Sequence, residues 1–246
     1  HDMMARVDLD TYNAVPWREG VASFSSDLFV DDEPHPYCSR QNLKRVLGEA
    51  RAAGYTFHVG IEPEHFLVTR NDDGSIEVWD PNKVDDLGKP CYDFKGISNV
   101  MGYLQDLMDG MASIGWDVYQ SDHEDANGQF EQNFQYADAL TTSDRLILLR
   151  LMLHTLARRQ GLYATVMPKP FADKTGNGLH THLSLWTADS DEPLFHDDDD
   201  ARGLGLSELA YRFIAGILDH AQGLTAIVCP TVNSFKRIGV GPPDSG

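Results

Sequence analysis

Apolar positions recur along this chain with two different periods. Leu43, Val46, Leu47 and Ala50 fall at i, i+3, i+4 and i+7, the spacing that lines one face of a helix. Ser39 as cap and Gly54 as stop bound that helix to 39–54. Ile97, Val100, Met101, Leu104, Leu107, Met108 and Met111 draw a second stripe, predicting a helix over about 96–113. Two more helices are expected over 141–160 and 206–222. Between them polar and apolar residues alternate, predicting strands at about 57–69, 116–121, 128–136, 162–168 and 179–186, with an earlier one from Val21 to Val30. Strands interleaved with long helices argue for an α/β or α+β fold over an all-β one. The acidic, proline-containing run DDEPHPY after Val30 marks the expected domain boundary.

Composition narrows the class of function. With 246 residues, 41% apolar and 24% charged, the chain has enough material for a sizeable core. Asp and Glu number 38 against 20 Lys and Arg, a net charge of −18. Such a surface repels nucleic acid and anionic membranes, because affinity for either comes from basic side chains meeting phosphate. Cys38, Cys91 and Cys229 form no CxxC pair and are odd in number, which fits a reducing cytoplasm better than a disulfide framework. The greasiest stretch, Leu146 to Leu156, is broken by Arg150 and His154 and is too short for a membrane span. The opening HDMMARVDLD has no signal-peptide character, and the ending GVGPPDSG consists of turn residues, so both ends read as cuts in a longer chain. Asp197 to Asp200 reads as a solvated loop, since the spacing and glycine of a calcium loop are missing.

The acidic excess is not evenly spread. In the strand GIEPEHFLV, Glu62 and Glu64 share one face. Two carboxylates side by side repel unless they face water or share a cation; Pro63 between them is compatible with a solvent-facing edge. In SDHEDANGQFEQNF, Glu124 precedes a turn at Asn127 and Gly128, after which Gln129, Glu131 and Asn133 share a strand face with no basic partner nearby in sequence. In TGNGLHTHLSLW, His180, His182 and Ser184 share a face, offering imidazoles to a metal or to phosphate oxygens. Four glutamates with one or two histidines suit a hard cation, Mg²⁺ or Mn²⁺, over zinc.

The segments GIEPEHFL, HEDANGQFEQNF, ATVMPKPF, TGNGLHTHLSLW and PTVNSFKRI, in this order, resemble the signature blocks of glutamine synthetases. HEDANGQFE, DALTTSDR, FKGIS and GLGLSELAY are most similar to the type III branch and to the related γ-glutamylmethylamide synthetases. The resemblance implies an α+β fold, with residues 1–36 as the remnant of a β-grasp domain and 37–246 as an incomplete catalytic domain whose curved antiparallel sheet is backed by helices. It implies two Mg²⁺ or Mn²⁺ ions. Glu64, Glu124 and Glu131 match the ligands of the ion nearer glutamate, and Glu62 and His180 match two ligands of the ion against the ATP phosphates. His182, Ser184 and, more loosely, Tyr136 match nucleotide contacts. Gly176 matches a glutamate contact, although Thr175 stands before it where the family usually has Asn.

The activity so implied is ATP-dependent ligation of glutamate to ammonia through γ-glutamyl phosphate. A glutamate–methylamine or other alkylamine ligase is the alternative, and a catalytically inactive structural or regulatory relative the alternative of another class. The resemblance further implies a ring-forming homo-oligomer, and the cysteine usage places it in the cytoplasm. It places a flap carboxylate, substrate-binding arginines and a third ligand of the second ion after this stretch, so the stretch alone is expected to be inactive.

Overall fold

The computed structural model describes residues 2–80, 89–190 and 192–238; the turn-like ending at 239–246 lies outside them. Near the start, β1 (Met3–Val7), β2 (Asn13–Ala14), β3 (Ala22–Ser23), β4 (Ser26–Val30) and β5 (Glu33–Pro34) are short. β4 pairs with β1 and β5 in a three-stranded antiparallel sheet, and β2 pairs with β3. The single strand expected from Val21 to Val30 is therefore two, belonging to different sheets.

The first helix, α1 (Ser39–Ala52), starts one residue earlier than its expected cap: Cys38 is the N-cap and makes no side-chain capping bond. A turn closed by the Cys38 N–H on the His35 carbonyl sets that start, leaving Ser39 inside the helix. β6 (Tyr55–Arg70) follows, then β7 (Ile76–Val78), α2 (Phe94–Ser113), β8 (Val118–His123), β9 (Gln129–Phe134), β10 (Ala137–Asp138), α3 (Ala139–Arg159), β11 (Tyr163–Thr165) and β12 (Leu179–Thr187). The chain continues through α4 (Glu208–Asp219), α5 (Ala221–Val228) and α6 (Val232–Arg237). The helix expected over 206–222 thus breaks at His220, which ends α4 and caps α5.

β6 organises the molecule. Along one edge it pairs with β12 over residues 55–63 and with β11 over 66–68; along the other it meets β10, β9 and β7 in turn, every partner antiparallel. A proline is tolerated inside this central strand for a local reason. The Glu64 N–H points to the β12 side, onto the Gly178 carbonyl, so residue 63 faces the opposite edge. There β10 has ended at Val59 and β9 does not begin until Glu64, and no ladder bond is asked of Pro63.

One face of this sheet is covered by α2 and α3. Val100, Tyr103, Leu104, Leu107 and Met111 of α2 and Leu148, Leu149, Met152, Leu153 and Leu156 of α3 bury against Ile61, Leu67, Phe130 and Phe134. Burying side chains of this size contributes about 1.5–3 kcal/mol each before entropy is counted. The α2 stripe differs from expectation at one place: Met101 is exposed and Tyr103 is fully buried. The Tyr103 hydroxyl lies 3.1 Å from His65 Nε2, a polar tip satisfied inside the core. The opposite face of the sheet carries the polar and acidic residues. Among the described residues, no helix is long and apolar enough to cross a membrane.

Asp200 is more than part of a solvated acidic run. It accepts from the backbone N–H of Arg202, Leu204 and Leu206 and from the Tyr211 hydroxyl. Against burial, which pushes its carboxyl up, these bonds hold it well below the usual range.

Candidate functional site

Register across the sheet builds the site. Glu62 of β6 pairs with His180 of β12, Glu64 pairs with Glu131 of β9, and Glu131 pairs on its other side with Asp122 of β8. Because residues opposite each other in adjacent strands present their side chains to the same face, Glu64, Glu131 and Asp122 form one row perpendicular to the strands. Glu124 stands just beyond β8 at the start of the turn to β9, a turn that Gly128 closes at φ 68°, where a Cβ would sit 2.5 Å from the Val78 side chain. Only glycine fits there.

Among the described residues, two sets of three ligand atoms converge to within 4.8 Å: Glu62, Glu131 and His180, and Asp122, Glu124 and Glu131. Glu131 belongs to both. The expected ligands Glu62, Glu124, Glu131 and His180 are brought together. Glu64 belongs to neither set; its Oε2 accepts from Gln129 Nε2 at 2.8 Å. Its other oxygen lies where Gly178 leaves room, for a Cβ on that glycine would meet Glu64 Oε1 at 2.7 Å. Asp122 is the residue the sequence reading missed. The available signal was its place two residues before Glu124, the same alternation that singled out Glu62 and Glu64.

The electrostatics are those of a cluster short of positive charge. Burial, then the charges of Glu64, Glu131, Asp122 and Asp125, push the Glu124 carboxyl up to about 7. Burial is also the main force raising Glu131, with a bond from Asn133 acting against it and Glu62, Glu64 and Asp122 adding to it. Glu64 is raised by burial against the lowering effect of the Gly178 N–H region, His180 and Arg237. Among the described residues no lysine or arginine forms an ion pair with these three; the nearby Lys89 pairs with Asp125 at 3.2 Å.

Further along the same face, His182 Nε2 lies 2.8 Å from Glu62 Oε1 and His180 Nδ1 lies 3.3 Å from Glu62 Oε2. Beyond them the surface turns aromatic. Tyr136, half exposed, stacks on Trp186 at 6.4 Å with 28° between planes, and His58 packs against both rings. Ser184 accepts from the Trp186 indole N–H at 2.9 Å. Trp186 and His58 extend the expected trio of His182, Ser184 and Tyr136.

At the acidic end, the Gly176 carbonyl accepts from Gln129 Nε2 at 3.1 Å, and a Cβ at 176 would lie 2.5 Å from the Pro168 carbonyl oxygen. Thr175 Oγ1 donates to Asp125 Oδ2 at 2.9 Å, so the residue at the departure from the family pattern is tied to the turn that carries Glu124. Arg237 Nε donates to the Asn177 carbonyl at 2.8 Å, fixing the end of the PTVNSFKRI segment to this loop.

Residues 36–243 match the family model described as the catalytic domain of glutamine synthetase. The chain belongs to the glutamine synthetase family. It is 45% identical over 240 residues to a glutamate–methylamine ligase of Methyloversatilis universalis, covering 98% of this chain and 53% of that relative. It is 40% identical over 245 residues to a glutamine synthetase of Rhizobium leguminosarum bv. phaseoli, covering all of this chain and 55% of that one. A solved structure described as "Apo GmaS without ligand" superposes with a TM-score of 0.91 at 43% identity, over 98% of this chain and 55% of the other. The chain thus spans about half the length of the glutamine synthetase relatives it matches, and its antiparallel sheet backed by helices is the catalytic-domain fold of this family.

Proposed function

We propose that the protein containing this chain is an ATP-dependent ligase that joins glutamate to a small amine. The observation that carries this reading is the acidic row Glu64, Glu131 and Asp122, flanked by Glu124 on one side and by the Glu62–His180 pair on the other. A carboxylate does not accept an amine directly. Its γ-oxygen attacks the γ-phosphorus of ATP, the P–O bond to ADP breaks, and the amine then displaces phosphate from the acyl carbon. Both reactants are anions, and this face of the protein is itself anionic, so the chemistry requires cations between them.

The donor set fits them. Oxygen ligands with one imidazole, converging to within 4.8 Å, suit Mg²⁺ or Mn²⁺, and carboxyls raised by burial and mutual repulsion are what such ions relieve. When bound, the ions supply charge neutralisation of the phosphate oxygens. We assign Glu62, Glu131 and His180 to one ion, and Glu124 and Glu131, with Glu64 one step away, to the other. The chain's own residues do the rest. His182 is held by Glu62 beside the phosphate end, Ser184 and Tyr136 with Trp186 seat the base, and the Thr175–Gly176 loop lies where glutamate meets the acidic end. Residues 1–36 and 37–246 are taken as parts of two domains, and the whole protein as a ring-forming homo-oligomer of the cytoplasm.

Ammonia and methylamine remain the two amines this reading admits. Identity to a methylamine ligase, at 45%, supports the second and identity to a glutamine synthetase, at 40%, the first. Phosphate release by the full-length protein with ATP, glutamate and a series of amines tests both. Release that needs glutamate and an amine is expected, and the amine with the highest kcat/KM decides between the two. No amine-dependent release would sink the ligase reading.

A further inference from the structure

Asp122 is outside the ligand set that the family resemblance carries over, yet the fold places it directly across from Glu131 in the β8–β9 ladder. One of its oxygens lies within 4.8 Å of ligand atoms of both Glu124 and Glu131. Three carboxylates alone would not argue for an ion, since they are common on protein surfaces. Asn133 supplies the independent observation. It is 3% exposed and sits on the same face, two residues beyond Glu131. Its Nδ2 donates to Glu131 Oε1 at 2.8 Å and lies 3.5 Å from Asp122 Oδ2. Its Oδ1 is buried with no hydrogen-bond partner.

A buried amide oxygen left without a partner costs about 1–3 kcal/mol and calls for an explanation. Here the explanation lies in the amide's neighbours. Two carboxylates converging on it can be bridged only by the amide's N–H side, so the oxygen is forced away from them. A cation seated between the carboxylates changes that balance, because it takes over their charge and an amide oxygen is then as welcome at the cluster as an amide N–H. As it stands, the Asn133 N–H side faces Glu131 and Asp122 and the unpartnered oxygen faces away from them, and an ion at the cluster would let the amide turn that oxygen toward it. Asp122 has one other contact, a bond from the exposed Gln120 side chain to Oδ2 at 2.6 Å, which leaves its second oxygen for an ion.

We propose that Asp122 is a further carboxylate ligand of the ion seated at Glu124 and Glu131, and that Asn133 is the positioning residue that holds Asp122 and Glu131 toward each other. The proposal rests on reading the site as a divalent-cation site. It gives this ion a ligand from β8 itself, so that two strands and the turn between them all contribute to one coordination sphere.

Mn²⁺ titration of the full-length protein without nucleotide, followed by the electron paramagnetic resonance signal of free Mn²⁺, tests it. The unmodified protein is expected to bind two ions. Asp122→Asn is expected to weaken one of them at least about tenfold and spare the other, and Asn133→Leu to weaken the same one by about 10–100-fold. Asp122→Glu, which keeps the charge, is expected to recover part of the loss. The melting temperature of each variant without metal shows whether it folds, and removing a like charge at Asp122 should not lower it. Two-ion binding by Asp122→Asn with unchanged affinities would overturn the proposal while leaving the site intact. Absence of Mn²⁺ binding by the unmodified protein would instead remove the cation reading itself, and this ligand with it.

Discussion

His180 lies directly opposite Glu62 across the β12–β6 ladder, and its Nδ1 stands 3.3 Å from Glu62 Oε2. One pair of facing residues thereby joins the imidazole-bearing strand to the acidic one. Glu131 then links this pair to Asp122 and Glu124, because it alone is common to both converging sets.

That sharing separates two substitutions. Glu131→Gln in the full-length protein should abolish the stabilisation by Mn²⁺ at both positions, whereas Glu62→Gln should remove only one. Saturating a site at one hundred times its Kd stabilises by about 2.7 kcal/mol, so the difference shows in thermal melts with and without Mn²⁺. In the absence of metal, Glu131→Gln should melt higher than the unmodified protein at pH 8, since Glu131 is buried and like charges a few ångströms apart repel by about 1–3 kcal/mol. A lower melting temperature without metal would contradict the electrostatic account.

Gly178→Ala places a methyl group 2.7 Å from Glu64 Oε1. The side chain of Glu64 can swing aside, so the fold should survive with little change in melting temperature while kcat/KM falls at least about tenfold, as small displacements of catalytic groups do. Full activity in this variant would show that the position of Glu64 seen here is not the working one.

The aromatic end makes a separate prediction. Trp186→Leu removes the ring that backs Tyr136 and the N–H that orients Ser184. Base stacking on an aromatic is worth about 1–3 kcal/mol, so KM for ATP should rise roughly 5- to 150-fold with kcat changed less than threefold. Equal losses in kcat and kcat/KM would move Trp186 from base binding to the chemical step.

Acid stability should depend on Arg40. Its guanidinium bonds Asp8 at 2.8 Å, Asp27 at 2.8 Å and Asp144 at 3.0 Å, joining the first strands, α1 and α3. The Arg40 bond holds Asp8 below the ordinary carboxylate range; at Asp27, burial pushes upward but bonds from Lys44 and Arg40 prevail and lower it. Carboxyls depressed in the folded state contribute stability that is present above the unfolded pKa, near 3.8, and lost as pH falls through the folded value. Arg40→Met should therefore cost about 3 kcal/mol at neutral pH, and the gap in melting temperature from the unmodified protein should narrow from pH 5 toward pH 2. A gap independent of pH would mean that the arginine acts by packing alone.

Much of this was legible in the residues. Long amphipathic runs announced α1, α2 and α3, and alternation announced β6, β9 and β12, because those signals are local. The α+β class and the family followed from motifs whose order is written in the chain. What stayed hidden depends on partners far away in sequence. Asp122 becomes part of the site only through the β8–β9 register, and Tyr103 displaces Met101 from the buried stripe because His65 waits on another element with a nitrogen to satisfy. The break at His220 was hidden for the opposite reason: apolar residues continue through it, so the periodic pattern shows no interruption.

β6 has a consequence for the proposed substrate. His58 and Glu62 are four residues apart on one continuous strand that β12 pairs without a break from Tyr55 to Pro63, which sets them about 13 Å apart at roughly 3.3 Å per residue. A strand held along that whole edge does not stretch, so the separation between the ring end and the acidic end is a fixed ruler. Under the proposed function this length would select the nucleotide: one with fewer phosphates would reach one end or the other, and only one of full length would span both.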